Sequence, residues 1–328
     1  MAIEENNTTD ETPAGTPFEV RRASGPLLMG AAERLVEASG RKGTIAAREF
    51  LNAAKRHGIS LDNMWCTIDR DPQEDGAPRV RHTCLAVPGE GATLMLFTSE
   101  PTEESLDEVS AVIDTVCRSS KAGLLAQTLL RPDELLAHKA FVSASFIDVG
   151  TLEYLQRPRP TKQESEAWTF ENGDLGDGVT IRTAPEGDDS ELLEALERTY
   201  TETLDCPELC GLRETRDVIA SHRSSGSFDP AYWWLIDVDR EPLGAMLFNP
   251  NPEQDAVELV YMGIAPEIRG RGIAGRALRY AMSKCAARNE RLISCAVDTR
   301  NAPARALYEK HGFRRTHTRF ALVRKVAK

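Results

Sequence analysis

The sequence predicts an α/β fold of the α+β kind, in which a mixed, mostly antiparallel sheet is flanked by helices. Three observations support this prediction. The length of 328 residues indicates two domains, at about 150 residues per domain. The C-terminal half alternates short strand patterns with amphipathic helices. The N-terminal half repeats the end of that order, which indicates a duplicated fold.

Composition sets the predicted domain boundaries. Residues 1–15 are polar and acidic and lack the basic and apolar segments of a secretion signal, so we expect a disordered tail. Residues 157–177 combine prolines, glycines and charges without an apolar period, which is typical of a linker. The expected domains are therefore 16–156 and 178–328.

The elements of the C-terminal domain follow from their periodicity. Alternation predicts a strand at 179–184, and helical spacing predicts a helix at 190–204. The segments 232–238 and 243–248 flank the turn sequence DREP, so we expect them to form a hairpin. A further strand is expected at 256–266.

An amphipathic helix follows from Ala274, because apolar side chains recur there at i, i+3, i+4 and i+7. A short apolar run predicts a buried strand at 292–297. A second helix is expected at 302–311, ending before Gly312, and a last strand at 315–325.

Bulk properties argue against several classes of partner. The formal net charge of −11 disfavours nucleic acid, whose phosphates need clustered cations. No run of about 18 apolar residues predicts a membrane helix. Seven cysteines without an exported context indicate reduced thiols and a cytoplasmic protein. Cys206, Cys210 and His222 lack a fourth ligand, so no metal is expected.

The segment GIAPEIRGRGIAGRAL joins a predicted strand to a predicted helix and is rich in glycine and arginine. A helix that begins in such a turn presents free N–H groups at its positive end, which is an anion site. Gly270 and Gly272 leave the backbone uncovered, and Ala274 is small enough for close approach. Arg269 and Arg271 add positive charge.

A second motif lies downstream, Asn301-x-x-Ala304-x-x-Leu307-Tyr308, and a Gly-Phe pair closes it. Together the two motifs resemble those of the GNAT superfamily of acyl-CoA N-acetyltransferases. The match runs from Glu258 to the closing pair, and the order of elements extends it over 178–328.

The resemblance implies an acetyl-CoA site. One set of residues would hold the pyrophosphate, mostly through main-chain N–H groups: Arg269, Gly270, Arg271, Gly272, Ile273 and Ala274. A second set would pair its backbone with the pantetheine arm or lie beside it: Met262, Gly263, Ile264 and Asn301. One departure from the family pattern is Ala274, which stands where many members have glycine.

Two side chains are candidates for the chemistry. An amine with a pKa near 10.4 is mostly protonated at pH 7, so a base helps, and the departing thiolate needs a proton. By resemblance, Tyr308 is the general acid, although a tyrosine on an amphipathic helix also serves as packing. Glu258 resembles the strand glutamate that acts as base, and strand parity predicts that it shares a face with Ile264. Its alternatives are a substrate anchor or a solvated carboxylate.

The acceptor is expected to bind against segment 204–223 and against Trp233 and Trp234. The candidate contacts there are Asp205, Glu208, Arg213, His222 and Trp233, each of which has a surface role in the loop as its alternative. The sequence leaves open a small amine, an aminoglycoside, a peptide N-terminus or a protein lysine. It also leaves open the acyl chain preference and the oligomeric state.

The N-terminal domain resembles a degenerate copy without a cofactor loop. Its segment 98–109 carries Glu100, Glu103 and Glu104 where a pyrophosphate would bind, and carboxylates there repel phosphate. Phe141 stands in place of the tyrosine. The layout is similar to that of mycothiol synthase, a tandem GNAT chain with one working half.

These observations predict an acetyl-CoA-dependent N-acetyltransferase that transfers the acetyl group directly to a primary amine in a ternary complex. The alternative is a regulatory module that binds acyl-CoA without turnover. A scaffold without a cofactor is the third possibility.

Overall fold

The computed structural model describes residues 17–69, 78–121 and 123–326, and the predicted tail 1–15 lies outside them. The chain divides into two compact units. The first unit comprises Met1–Asp148 and Phe320–Lys328, and the second comprises Val149–Arg319.

In the first unit a strand and two helices precede three strands, a helix, a strand and a helix. These elements are β1 (Phe18–Arg22), α1 (Pro26–Ala38), α2 (Gly43–Arg56), β2 (Met64–Asp69), β3 (Val80–Gly89), β4 (Thr93–Thr98), α3 (Leu106–Arg118), β5 (Leu125–Leu130) and α4 (Leu135–Ser143). Strands β1 to β4 pair antiparallel, β4 and β5 pair parallel, and residues 320–325 add an antiparallel strand beside β5.

The second unit contains most of the remaining elements. They are β6 (Ile147–Pro158), α5 (Lys162–Glu166), β7 (Asp174–Gly176), β8 (Val179–Thr183), α6 (Ser190–Tyr200), α7 (Thr215–Ser224), β9 (Trp233–Val238), β10 (Glu241–Asn251), β11 (Ala256–Ile264), α8 (Ile273–Cys285), β12 (Leu292–Asp298), α9 (Ala302–Lys310) and β13 (Arg314–Lys325). From β8 to β13 the order repeats that of β1 to β6, so the element order bears out the predicted duplication.

The sheet of the second unit runs β6-β12-β11-β10-β9-β8-β7. Only β11 and β12 pair parallel; the other neighbours are antiparallel. This confirms the predicted fold class. Strand β6 belongs to this sheet because Leu152–Pro158 pair with β12, whereas the sequence places residues 152–156 at the end of the first domain and residues 157–158 in the linker.

Two apolar layers cover the sheet of the second unit on opposite faces. Helices α8 and α9 pack on one face, over Trp234, Val257 and Leu259. Helices α6 and α7 pack on the other, over Trp233 and neighbouring residues of β10. Among the described residues, no helix is both long and apolar enough to cross a bilayer.

Candidate active site

Strands β11 and β12 diverge in the middle of the sheet. Their parallel pairing joins Ala256–Leu259 to Leu292–Cys295. Beyond these residues β11 continues to Ile264 and β12 to Asp298. One edge of each strand is therefore free of strand pairing in this part of the described chain, and a gap opens toward their carboxyl ends.

A β-bulge in β11 determines which of its side chains face the α8 and α9 layer and which face the α6 and α7 layer. In the pairing with β10, Phe248 lies opposite Leu259 and Leu247 opposite Tyr261, so Val260 is the extra residue. A bulge shifts the alternation of side chains by one position. As a result Met262 packs with the α8 layer.

The bulge also corrects the predicted orientation of Glu258. The sequence places its side chain on the face of Ile264, by parity along an unbroken strand. In the structure Ile264 packs with the α8 layer, whereas Glu258 accepts a hydrogen bond of 3.5 Å from the hydroxyl of Ser225, just beyond α7. The two side chains lie on opposite faces because of the extra residue at Val260.

The turn after β11 presents a run of free backbone amides. None of the N–H groups from Gly270 to Gly275 has a hydrogen-bond acceptor within the described part of the chain. Gly270 and Gly272 have φ of 74° and 73°, a conformation that favours glycine. Ile273 and Ala274 form the first turn of α8. A Cβ at Gly270 would meet no atom within 4 Å, so this backbone is open to a ligand.

The arginines of the turn have structural partners. The guanidinium of Arg269 donates to four backbone carbonyls: Ile264, Thr199, Thr201 and Glu202, at 2.7 to 3.2 Å. Its own N–H donates to the carbonyl of Pro266. Arg269 therefore fastens the turn to the end of α6, and neither its guanidinium nor its amide faces an anion.

Arg271 makes a single hydrogen bond, of 3.1 Å, to the carbonyl of Asp177. The side chain of Asn301 caps α9 by accepting from the amide of Ala304 at 3.2 Å. This cap fixes the start of the helix that carries Tyr308.

Tyr308 lies on the α8 face of the gap. Its side chain is buried among apolar residues, and its hydroxyl contacts the sulfur of Met262 at 4.0 Å. Burial, together with the nearby Cys295 and Asp205, raises the pKa of the hydroxyl well above its ordinary value. The Tyr308 hydroxyl is protonated at neutral pH, as an unperturbed tyrosine also is, and the raised pKa makes it a weaker acid than a solvated tyrosine.

Glu258 lies on the α7 face. Burial raises the pKa of its carboxyl group above the ordinary value, while hydrogen bonds from Ser225 and Asn251 act in the opposite direction. A carboxylate with a raised pKa is a better proton acceptor than a solvated one.

Three other predicted residues lie on the same face as Glu258. Trp233 is buried and donates to Asn249 at 2.8 Å. The neighbouring Trp234 belongs to the opposite layer, so the two tryptophans do not lie on one face as the sequence predicts. Arg213 donates to the hydroxyl of Ser221 at 2.7 Å. The ring of His222 has a buried nitrogen, Nε2, without a partner in the described structure. Burial, with the nearby Arg213 charge, lowers the pKa of His222 to about 4.

Asp205 and Glu208 lie elsewhere, at the carboxyl end of β12. Asp205 accepts from the amide of Asp298 at 2.8 Å, and both oxygens of Glu208 accept from Arg300 at 2.6 and 2.8 Å. Asp298 and Arg300, which organise this cluster, carry no motif that sequence reasoning could use. Among the described residues, no group of three or more side chains is arranged to hold a metal ion.

The equivalent place in the first unit is built differently. Strands β4 and β5 pair only at Thr93–Met95, but farther along the hydroxyl of Thr128 donates to the carbonyl of Leu96 at 3.1 Å and bridges the two strands. Phe141 is fully buried, and its ring meets that of Phe146 edge-on at 5.0 Å.

The site is thus a diverging parallel strand pair with an open glycine turn at its end. Comparison with known proteins gives the family. Residues 191–313 match the model of the acetyltransferase (GNAT) family. This part of the chain is a GNAT domain.

The chain is also similar to individual proteins. The mycothiol acetyltransferase of Beutenbergia cavernae is 38% identical over 88 residues, which span 26% of this chain and 29% of that protein. A GCN5-related N-acetyltransferase from Sphaerobacter thermophilus aligns over 95% of this chain and 96% of its own, with 19% identity and a TM-score of 0.56. A tandem GNAT protein from the clavulanic acid biosynthesis pathway aligns over 95% of this chain and 98% of its own, with 13% identity and a TM-score of 0.47.

Proposed function

We propose that the second unit transfers an acetyl group from acetyl-CoA to a primary amine, directly within a ternary complex. The observation that carries this proposal is the run of free amides from Gly270 to Gly275, at the end of a strand that has left its neighbour. These N–H groups at the start of α8 suit a pyrophosphate. The free edge of β11, Met262 to Ile264, suits an extended amide-bearing arm.

The proposed general acid and the proposed base lie on opposite faces of the sheet. Tyr308, on the α8 face, holds the proton that the leaving sulfur requires. Glu258, on the α7 face, is the carboxylate suited to receive a proton from the acceptor. The acceptor then approaches from the α6 and α7 side, where Arg213, His222 and Trp233 lie.

We further propose that the first unit does not bind acyl-CoA. Its turn after β4 carries Glu100, Glu103 and Glu104 in place of an uncovered glycine backbone. The Thr128 bridge supports the same conclusion, since it joins the strands where an arm would have to enter.

Two variants that differ only in charge test the cofactor site. Gly270→Asp and Gly270→Asn both place an αL-tolerant side chain at φ 74°, but only the aspartate sets a negative charge against the pyrophosphate. We expect Gly270→Asp to weaken acetyl-CoA binding by at least about tenfold relative to Gly270→Asn, measured by calorimetric titration. Equal affinities would show that the pyrophosphate does not bind at this turn.

Turnover is tested by thiol release from acetyl-CoA in the presence of tyramine, glucosamine, kanamycin or a peptide with one free lysine. Release with at least one amine, together with the acetylated product by mass spectrometry, is the expected result. Acetyl-CoA binding without thiol release would favour the regulatory module instead.

A further inference from the structure

Arg276 brings hydrogen-bond donors to the start of α8. It is the fourth residue of this helix, and helical side chains lie back over the preceding turn. Its Nη1 lies 3.7 Å from the position that a Cβ on Gly272 would occupy. The guanidinium is therefore next to the free backbone amides of the glycine turn.

Most donors of this guanidinium have no acceptor. In the part of the chain that the structure describes, its hydrogen bond goes from Nη2 to Asp177, and the buried Nε has no partner. A buried N–H without an acceptor is unfavourable, and such groups are rare in folded proteins. An anion bound at the neighbouring amides would supply the missing acceptor oxygens.

Asp177 contacts two arginines near the glycine turn. Its carboxylate accepts from Arg276 at 2.7 Å, and its backbone carbonyl accepts from Arg271 at 3.1 Å. Asp177 lies between the paired strands β7 and β8 and has φ of 55°, which aspartate and asparagine tolerate. The turn of this hairpin thus places a carboxylate beside the proposed pyrophosphate site.

The ion pair between Asp177 and Arg276 is open to replacement. The side chain of Asp177 is 59% exposed and that of Arg276 is 27% exposed. Ion pairs with this exposure contribute little to stability. A pyrophosphate carries more negative charge and more acceptor oxygens than one carboxylate, so it can displace Asp177 from the guanidinium.

We propose that Arg276 binds the pyrophosphate of the cofactor and that the Asp177 carboxylate competes for the same guanidinium. This inference rests on the proposed binding of acetyl-CoA at the glycine turn. In the free protein the carboxylate holds Arg276, and on binding the phosphate oxygens take its place. Arg269 is not available for this role, because its guanidinium already donates to four backbone carbonyls.

Four variants separate competition from a general effect of charge. Asp177→Asn removes the competing charge, tolerates the same φ, and keeps the carbonyl that accepts from Arg271. Glu267→Gln removes one negative charge from an exposed residue three positions before Gly270 and is the matched control. Arg276→Gln removes the guanidinium. The double variant of Asp177→Asn and Arg276→Gln measures the coupling between the two side chains.

Each full-length protein is titrated with CoA by calorimetry at one ionic strength, and thermal melting checks that it is folded. We expect Asp177→Asn to lower the Kd about threefold and Arg276→Gln to raise it at least about tenfold. In the Arg276→Gln background, Asp177→Asn should change the Kd by less than about 1.5-fold, because no guanidinium remains to compete for. Glu267→Gln should also stay within about 1.5-fold of wild type.

A titration with 3′-dephospho-CoA identifies the phosphate that Arg276 meets. This ligand keeps the pyrophosphate and lacks the phosphate on the ribose. The gain in affinity from Asp177→Asn should persist with it. A gain that appears with CoA alone would assign Arg276 to the ribose phosphate and overturn the pyrophosphate assignment.

An unchanged or higher Kd in Asp177→Asn would overturn the competition. A gain that Glu267→Gln reproduces, or that persists in the Arg276→Gln background, would also overturn it, because either result is a general effect of charge. Wild-type affinity in Arg276→Gln would remove Arg276 from the site. A wild-type protein that does not bind CoA would refute the proposed function together with this inference, whereas CoA binding that Asp177→Asn leaves unchanged refutes the inference alone.

Discussion

Replacing Tyr308 with phenylalanine isolates the hydroxyl from the ring that carries it. The ring is buried and packs beside Phe313 at a centroid distance of 5.5 Å, and phenylalanine preserves this packing. The hydroxyl has only a long contact, 4.0 Å, to the sulfur of Met262. Its loss therefore leaves no buried partner unsatisfied, and we expect the free energy of unfolding to change by less than about 1 kcal/mol.

The effect on turnover should be much larger. A general acid contributes about 10²-fold or more to the rate, which corresponds to about 2.7 kcal/mol of activation free energy. We expect kcat of Tyr308→Phe to fall by that factor in a thiol-release assay, while acetyl-CoA affinity stays within about twofold. Thermal melting of both proteins is the control for folding. Turnover within about threefold of wild type would leave Tyr308 with a packing role only.

Two further predictions concern charge. If Glu258 receives the proton, kcat/KM should fall as the pH decreases through the pKa of the Glu258 carboxyl group, which lies above the ordinary value of 4.5. The pKa of His222 is about 4, so His222 should add no transition near pH 6.5. A kcat/KM profile from pH 4.5 to 9 checks both, and a flat acid side contradicts the role of Glu258. Arg269→Lys should lower the unfolding free energy by at least ~1 kcal/mol and weaken acetyl-CoA binding, because an ammonium cannot bond four carbonyls. Arg271→Lys, which loses one hydrogen bond at most, is its control in calorimetry and melting experiments.

Local patterns predicted most of the second unit's elements. The strand expected at 292–297 and the helix expected at 302–311 match β12 and α9 to within a residue at either end. The helix expected at 190–204 ends at Tyr200 instead. At this end of the helix the guanidinium of Arg269 donates hydrogen bonds to the carbonyls of Thr199, Thr201 and Glu202. Because Arg269 is distant from this helix in the sequence, the local pattern of apolar residues could not predict this contact.

The candidate site shows the same limit. The glycine turn and Tyr308 stand out because each lies in a contiguous motif, whereas the orientation of Glu258 depends on a bulge that β10 imposes on β11. The position of the Asp205 side chain depends on Asp298, which is distant in sequence and becomes a neighbour only through the fold. Contiguous motifs therefore indicated the proposed cofactor side of the site, whereas the proposed acceptor side is distinguished from it only by the tertiary structure.

The bulge at Val260 is relevant to whether the proposed acetyl transfer is direct or passes through an enzyme-bound intermediate. It places Glu258 on the α7 face and leaves Met262 with Tyr308 on the α8 face. A base and an acid on opposite faces of a sheet can act on one reacting centre only where the sheet is open between them, and β11 and β12 diverge at that level. This arrangement suits direct transfer, with the acceptor entering from one face and the acid acting from the other. An enzyme-bound acetyl intermediate would need a nucleophile in the gap. Cys295, the nearby thiol on β12, is buried, and burial raises its pKa, which disfavours the thiolate.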